Sequence, residues 1–171
     1  NLDISGRREY DSNYGKFDTG RIQINHNLYK SLILRASIGT GYRTPTPYEL
    51  YSAYGNTNLQ PETSLTYDLG GELNFFKNSS YLYLGVFETK VEDIITYASS
   101  KYRQTTSNLK SKGLEFRLKN KISNKVSTGL NFTKTNAKEN DGDNIVLVPK
   151  DKALFFLNLN PLENISINTS F

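Results

Sequence analysis

The sequence predicts an all-β protein, specifically an antiparallel transmembrane β-barrel segment of about nine strands. Apolar and polar residues alternate along segments of about ten residues, which is the length a tilted strand needs to cross a bilayer. Short and long connections also alternate along the chain. Only 36% of the 171 residues are hydrophobic, yet 12% are aromatic. Such averages fit a barrel wall, because one face of each strand is apolar and the other polar.

The period of two is clearest in residues 31–40, where Leu32, Leu34 and Ile38 share one face and Arg35 and Ser37 the other. The same alternation predicts strands at 66–76, 114–119, 126–133 and 165–171. Residues 2–10 and 20–28 follow it less cleanly, and segments 81–97 and 145–160 are longer and less regular.

The connections between these strands fall into two classes. Short turns are predicted at 29–30, 77–80, 120–124 and 160–164, and longer polar links at 11–18, 41–65 and 138–144. The link at 98–104 is intermediate, as expected for strands that extend past the membrane. Short turns at one rim and long loops at the other are typical of outer-membrane barrels. A short helix is predicted at 47–54, inside the longest link, after Pro47.

Composition excludes several classes of function. The chain has no cysteine, which removes disulfides and thiolate chemistry. Its net charge is +4, with lysines and arginines scattered singly, so no nucleic-acid partner is expected. No apolar run approaches the roughly 18 residues of a spanning helix.

No catalytic residue, cofactor or metal site is predicted. Gly39-Thr40-Gly41 lacks the third glycine and the βαβ context of a nucleotide-binding loop. The single histidine, His26, falls on the apolar phase of its strand, as expected of a residue at the lipid edge. Glu139, Asp141 and Asp143 do not match a calcium loop and are expected to form a solvated loop tip.

Four phrases in order carry a family resemblance. The first is the longest, running from Gly41-Tyr42-Arg43-Thr44-Pro45 through Glu49-Leu50-Tyr51 to Asn56-Thr57-Asn58-Leu59-Gln60-Pro61-Glu62-Thr63-Ser64. The others are Val91-Glu92-Asp93-Ile94-Ile95, Lys112-Gly113-Leu114-Glu115-Phe116 and Val148-Pro149 with Lys152. Together they resemble the barrel of TonB-dependent receptors over about 38–160, and four ordered phrases are more specific than any one.

The resemblance implies a twenty-two-stranded barrel in the outer membrane of a Gram-negative bacterium. Residues 1–171 would then be part of that barrel, without the plug domain that fills its lumen. The odd strand count and the strand-like opening predict a segment of a longer barrel. The family resemblance implies that this segment is the middle and later part of the barrel, with roughly three more strands after Phe171. The implied partners are outer-membrane lipid, the plug of the same chain, TonB acting through that plug, and a small-molecule nutrient.

Candidate substrate-binding residues lie in and beside the longest link. They are Tyr42, Arg43, Tyr48, Tyr51, Tyr54, Asn56 and Asn58. The tyrosines have a second interpretation as an aromatic girdle at the membrane interface, since an aromatic ring with a polar tip suits both roles. The charged residues on the polar phase are expected to make barrel-wall and plug contacts. These are Arg35, Asp68, Glu72, Glu115 and Arg117.

The resulting hypothesis is that the chain belongs to an active-transport receptor and not to an enzyme. The compact loop at 54–62 resembles that of cobalamin receptors, so cobalamin is the favoured nutrient, with ferric siderophores as the alternative. Two other classes stay open on sequence alone. One is a small autonomous outer-membrane barrel with an adhesive or structural role. The other is an outer-membrane hydrolase, which would have to use His26.

Overall fold

The computed structural model describes residues 1–77, 79–105, 108–139, 148–162 and 165–171. In this part of the chain nine strands form one antiparallel sheet in the order β1-β2-β3-β4-β5-β8-β9-β10-β11, and β6 and β7 form a separate hairpin. The strands are β1 (Leu2–Asp11), β2 (Gly15–Tyr29), β3 (Leu32–Arg43), β4 (Glu62–Phe75), β5 (Ser80–Glu92), β6 (Ile95–Ala98), β7 (Lys101–Gln104), β8 (Leu109–Lys121), β9 (Val126–Glu139), β10 (Asp151–Leu162) and β11 (Ile165–Ser170). The helix α1 spans Pro47–Tyr51.

The register of the sheet sorts the alternating side chains onto two faces. Ile22, Ile38 and Tyr67 occupy directly paired positions on β2, β3 and β4, so they share a face. That face, called the apolar face below, continues through Leu69, Val86 and Leu114. The opposite, polar face carries the charged residues expected there. Arg35 pairs with Glu72, Ser37 donates to Asp68 at 2.9 Å, and Arg117 contacts Glu115 at 2.7 Å.

The apolar face has nothing packed against it in the described residues. Leu69 and Val86 are more than half exposed, and only Leu50, Leu59, Ile95 and Ala137 count as buried hydrophobic side chains. A soluble domain rarely leaves so large an apolar surface open. A barrel wall does so because lipid covers it. The predicted antiparallel barrel-type sheet of about nine strands is therefore confirmed, and within the described residues it is an open sheet with β1 and β11 at its edges.

The long connections lie at one end of the strands and most of the short turns at the other, as expected. One rim carries the short turns 30–31, 76–79 and 122–125, and the other carries 44–61, the stretch between β5 and β8 and the turn 12–14. Residue 78, in the second of these turns, and residues 163–164, which follow β10, lie outside the described residues. The same holds for 140–147, which includes most of the link predicted at 138–144 and the acids Asp141 and Asp143.

Several boundaries differ from the sequence prediction. The link predicted at 11–18 is a turn of 12–14, because β1 and β2 remain paired out to Asp11 and Gly15. The strand predicted at 81–97 is two strands, broken where Asp93 adopts a positive φ of 57°. The link at 98–104 is mostly hairpin, with a turn at Ser99 and Ser100 between β6 and β7. The described part of the strand predicted at 145–160 begins at Asp151.

The helix predicted at 47–54 ends at Tyr51, because Ser52 has an extended backbone. Among the described residues, no helix is both long and apolar enough to cross a membrane.

Candidate functional site

The longest loop, residues 44–61, is ordered by helix α1 and its cap. Thr46 is the N-cap: its hydroxyl accepts from the Glu49 amide, and its own amide donates to the Glu49 carboxylate at 2.7 Å. This reciprocal capping box satisfies two donors that a helix start otherwise leaves free. Pro47 starts the helix at little cost, since its missing N–H would be unpaired there anyway. The sequence Thr-Pro-Tyr-Glu therefore fixes the direction in which the chain leaves β3.

Arg43 ties this helix to the adjacent strand end. Its guanidinium donates two bonds to Glu62 at 2.6 and 2.8 Å, and a further pair to Glu49, the shorter at 2.9 Å. Glu62 also accepts the Ile95 amide at 2.8 Å, so the same carboxylate reaches the hairpin. Both carboxylates are largely covered, at 13% exposure. A planar guanidinium suits such forked contacts, which are stronger than neutral hydrogen bonds.

The Glu49 carboxyl lies in the loop, and its surroundings change its acidity. Partial burial acts to raise its pKa, but the Arg43 guanidinium and the Thr46 hydrogen bonds outweigh burial and hold the pKa below its ordinary value. The carboxylate form is therefore favoured in the folded loop.

The β6–β7 hairpin docks on the loop through backbone and amide hydrogen bonds. The Tyr102 amide donates to the Tyr54 carbonyl at 2.9 Å, and the Asn56 side chain donates to the Tyr102 carbonyl at 3.2 Å. Gln104 exchanges bonds with the Gln60 backbone, accepting at 2.8 Å and donating at 2.9 Å. The loop and hairpin therefore behave as one unit at this rim.

A small apolar core lies beneath these contacts. Leu50 of α1, Leu59 of the loop and Ile95 of β6 pack together, with Tyr102 against them, and Leu59 is fully buried. Gly55 lets the loop close over this core, since a Cβ there would lie 2.5 Å from the Leu50 carbonyl oxygen. Burial of this core positions the aromatic rings above it.

Four tyrosines form a connected aromatic cluster on the exposed side of this unit. The ring centroids of Tyr48 and Tyr102 are 6.1 Å apart, those of Tyr102 and Tyr97 5.3 Å, and those of Tyr97 and Tyr54 5.7 Å. All three contacts are edge-on, a favourable geometry for aromatic pairs. Tyr48 and Tyr97 are 59% and 54% exposed. We call Tyr48, Tyr54, Tyr97 and Tyr102 the tyrosine cluster.

The structure separates the candidate residues chosen from the sequence into three groups. Tyr48 and Tyr54 belong to the tyrosine cluster, and Tyr51 is exposed on α1. Arg43 and Asn56 hold the loop together, the Asn56 side chain also accepting from the Asn58 amide at 3.0 Å. Tyr42 lies apart: its ring stacks on Phe17, with centroids 4.2 Å apart, and its hydroxyl donates to Glu9.

Tyr97 and Tyr102 were not among the candidates from sequence. They face each other as a directly paired position across β6 and β7. The signal was present in the sequence as two tyrosines flanking Ser99-Ser100, a pair with turn character. The sequence pattern predicts one strand over 81–97, and this places Tyr97 at a strand end instead of in a docked hairpin.

The family model described as "TonB dependent receptor-like, beta-barrel" matches residues 1–168. The chain belongs to the TonB-dependent receptor family. This is a family of transport receptors and not of enzymes.

Individual members of the family resemble parts of the chain. The vitamin B12 transporter BtuB of Vibrio cholerae is 28% identical over 120 residues, covering 67% of this chain and 19% of the transporter. The iron-regulated outer membrane virulence protein of the same species is 26% identical over 169 residues, covering 83% of this chain and 26% of that protein. The chain thus spans about a fifth to a quarter of the length of these curated relatives.

A solved structure shows the same fold. The ferric enterobactin receptor PfeA of Pseudomonas aeruginosa superposes with a TM-score of 0.80 at 18% identity, over 99% of this chain and 29% of that receptor. At this identity the likeness concerns the fold alone.

Other chemistry has no assembled site in the described residues. No group of three His, Cys, Asp or Glu side chains there is arranged to hold a metal ion. His26 lies on β2 opposite Leu34, on the apolar face with Ile24. Within the described residues, no hydrogen bond joins His26 to a carboxylate or hydroxyl, whereas a hydrolytic triad requires such a bond.

Proposed function

We propose that this chain is barrel wall and substrate-binding rim of an outer-membrane active-transport receptor that imports a scarce nutrient, with cobalamin favoured. The tyrosine cluster carries the proposal. It is an exposed aromatic surface held on a rigid base at the rim with the long connections. In barrels of this type that rim faces the outside of the cell. Family membership supports the rest: a plug domain in the lumen and energy from TonB acting through the plug.

The chemistry of the cluster suits a ligand with flat apolar faces and a polar edge. Tyrosine rings supply apolar contact area at small cost in side-chain entropy, and their hydroxyls supply hydrogen bonds. Cobalamin has such a shape, a broad macrocycle rimmed by amides. The match to a vitamin B12 transporter over 120 residues supports this choice.

A ferric siderophore is the second candidate. Catecholate rings would also stack on tyrosines, and the likeness to an iron-regulated outer membrane protein covers 83% of the chain. The likeness to solved ferric enterobactin receptors concerns the fold alone. In both cases we propose that Tyr48, Tyr51, Tyr54 and Tyr97 contact the nutrient, with Asn58 at their edge. Arg43 and Asn56 then act by holding the loop, and Tyr42 lies away from the ligand.

Equilibrium binding to the full-length receptor in detergent tests the proposal, using cyanocobalamin and a ferric catecholate as separate probes. With Tyr48→Ala and Tyr97→Ala combined, we expect binding of the native nutrient to weaken roughly tenfold, since aromatic contacts contribute about 0.5–1.5 kcal/mol each. Tyr29→Ala is the matched control, because Tyr29 is 69% exposed at the opposite rim.

The two probes separate the outcomes. Binding of cyanocobalamin that depends on the cluster supports the favoured substrate, whereas binding of the ferric catecholate alone selects the siderophore alternative. If the receptor binds either probe with the same affinity after loss of Tyr48 and Tyr97, the cluster is an interfacial girdle and not a binding surface.

A further inference from the structure

Lysines accumulate on the apolar face where three neighbouring strands approach the rim with the long connections. Lys90 of β5, Lys110 of β8 and Lys138 of β9 occupy directly paired positions in one row. Paired positions on one face have Cβ atoms about 5 Å apart, and like charges there repel. Such a row is unfavourable unless an anion compensates it. We call these three residues the lysine row.

The next rows mark the change from charge to hydrocarbon. Below the lysine row, Glu88 and Lys112 are paired, and below them Val86 and Leu114 are paired, with Lys134 beside Leu114. From there to the short turns the face is apolar, with Leu84 opposite Phe116 and Leu82 opposite Leu118.

The position of the lysine row matches the depth of a lipid headgroup. A tilted strand crosses the hydrocarbon layer in about 9–11 residues. Strand β5 begins at Ser80, so Lys90 lies close to the place where the hydrocarbon ends. The row therefore stands at the membrane interface on the side of the long connections.

The carboxylates on this surface leave part of the positive charge uncompensated. Glu88 contacts Lys110 at 2.9 Å, Asp151 lies 4.0 Å from Lys134, and Glu92 lies one row further out than Lys90. Among the described residues, Lys90, Lys112 and Lys138 form no ion pair. Within the described part of this surface, five lysines face three carboxylates, which leaves an excess of positive charge there.

An apolar groove opens directly below these amines. It has a volume of about 730 Å³, and its lining includes the apolar residues Leu69, Val86 and Leu114 together with the charged residues Glu88, Lys112 and Lys134. A surface with amines above and a hydrocarbon groove beneath matches an amphiphile that carries phosphate at its head and acyl chains below.

We propose that the lysine row and the groove form a binding site for a phosphate-bearing lipid of the leaflet on the long-connection side. The headgroup phosphates contact Lys90, Lys110 and Lys138, and an acyl chain lies along Leu69, Val86 and Leu114. The proposal rests on the outer-membrane placement proposed above. It assigns a role to a surface that is separate from the tyrosine cluster. Interfacial lysines each contribute measurably to attraction of anionic lipid, and the effect is screened by salt.

Native mass spectrometry of the full-length receptor tests this, with lipid A as the phosphorylated probe and phosphatidylcholine as the zwitterionic one. We expect lipid A to be retained at least about tenfold more strongly by the wild type than by a K90Q/K110Q/K138Q variant. A K90R/K110R/K138R variant should retain it as the wild type does. The matched control is K30Q/K77Q/K121Q, which removes the same charge near the opposite rim.

Three results would overturn the assignment. Equal retention of lipid A by the wild type and the K90Q/K110Q/K138Q variant would remove the lysine row from the site. Displacement of lipid A by inorganic phosphate at equal concentration would indicate a site for a free anion. If phosphatidylcholine is retained as strongly as lipid A, the apolar groove alone binds lipid and the lysine row does not select the phosphate headgroup. Nutrient binding measured on the same variants should be unchanged, so failure of the lipid site is distinguishable from failure of the transport proposal.

Discussion

Tyr102 donates its backbone amide to the carbonyl of Tyr54 at 2.9 Å, which joins the β6–β7 hairpin to the long loop after β3. The Tyr102 ring packs on the apolar core from the same position and contacts Tyr48 and Tyr97. One residue thus connects backbone docking, core burial and the exposed aromatic surface. The arrangement of the rings depends on that docking, and the following predictions test it.

Loss of the Arg43 guanidinium should loosen the whole rim unit. In Arg43→Gln, Glu49 and Glu62 lose their shared forked partner, and we expect about 1–2 kcal/mol less stability for local opening of the loop. Hydrogen exchange of amides in 44–61 and 94–104 should therefore accelerate roughly five- to thirtyfold. Arg8→Gln is the control, since its ion pair with Asp18 is exposed on both sides. Unchanged exchange in Arg43→Gln would show that the apolar core alone holds the unit.

The same junction predicts a pH dependence of loop docking. The pKa of Glu49 is lower in the folded loop than its ordinary value, so the unfolded loop takes up a proton first as pH falls. Docking is thus fully stabilised above the ordinary glutamate pKa and loses stability as pH drops through the lowered folded value. The protection factors of the loop amides, measured by hydrogen exchange from neutral to acidic pH, should decrease accordingly. Glu49→Gln should flatten the profile, and a profile identical to wild type would contradict the assignment to Glu49.

Much of the wall was predictable from sequence because each strand carries its own signal. The alternation of Leu32, Leu34 and Ile38 with Arg35 and Ser37 is a local property that survives in the folded sheet. The order of short and long connections could also be predicted from the amino-acid sequence, except for the link at 11–18. There the polar composition predicts a long link, but β1 and β2 stay paired out to Asp11, which leaves only a short turn.

The aromatic site was only half predictable. Tyr48 and Tyr54 lie in a recognisable loop, but their partners Tyr97 and Tyr102 come from a segment distant in sequence. Their contact depends on the break at Asp93, where positive φ ends β5. Local pattern carried no information about which loop the hairpin would dock on. Likewise, the role of Arg43 became visible only once Glu49 and Glu62 were placed on either side of it.

Gly55→Ala should separate the loop from its core. An added Cβ would lie 2.5 Å from the Leu50 carbonyl oxygen and 2.8 Å from the Tyr51 amide nitrogen. Because both are backbone atoms of α1, they cannot move aside without distorting the helix. We expect about 1–3 kcal/mol of local destabilisation and weaker nutrient binding, because the tyrosines lose their base. Gly6→Ala is the control, since its Cβ would meet nothing closer than 3.9 Å. Nutrient affinity and loop hydrogen exchange should change together, and a change in affinity with unaltered exchange would argue for direct contact instead.

Gly113→Ala should destabilise the barrel wall itself. A Cβ at Gly113 would lie 2.2 Å from the Lys134 backbone oxygen and 2.7 Å from the Phe87 ring, so β8 and β9 must move apart locally. This close approach gives a physical reason for glycine in the phrase Lys112-Gly113-Leu114-Glu115. Thermal unfolding of the full-length receptor in detergent should show a lower midpoint, by an amount corresponding to about 1–3 kcal/mol. Gly71→Ala, whose Cβ would make an ordinary 3.5 Å contact with Leu34, should leave the midpoint nearly unchanged. Equal midpoints for the two variants would contradict the prediction. They would mean that the backbones of β8 and β9 move apart to accommodate the methyl group without loss of stability.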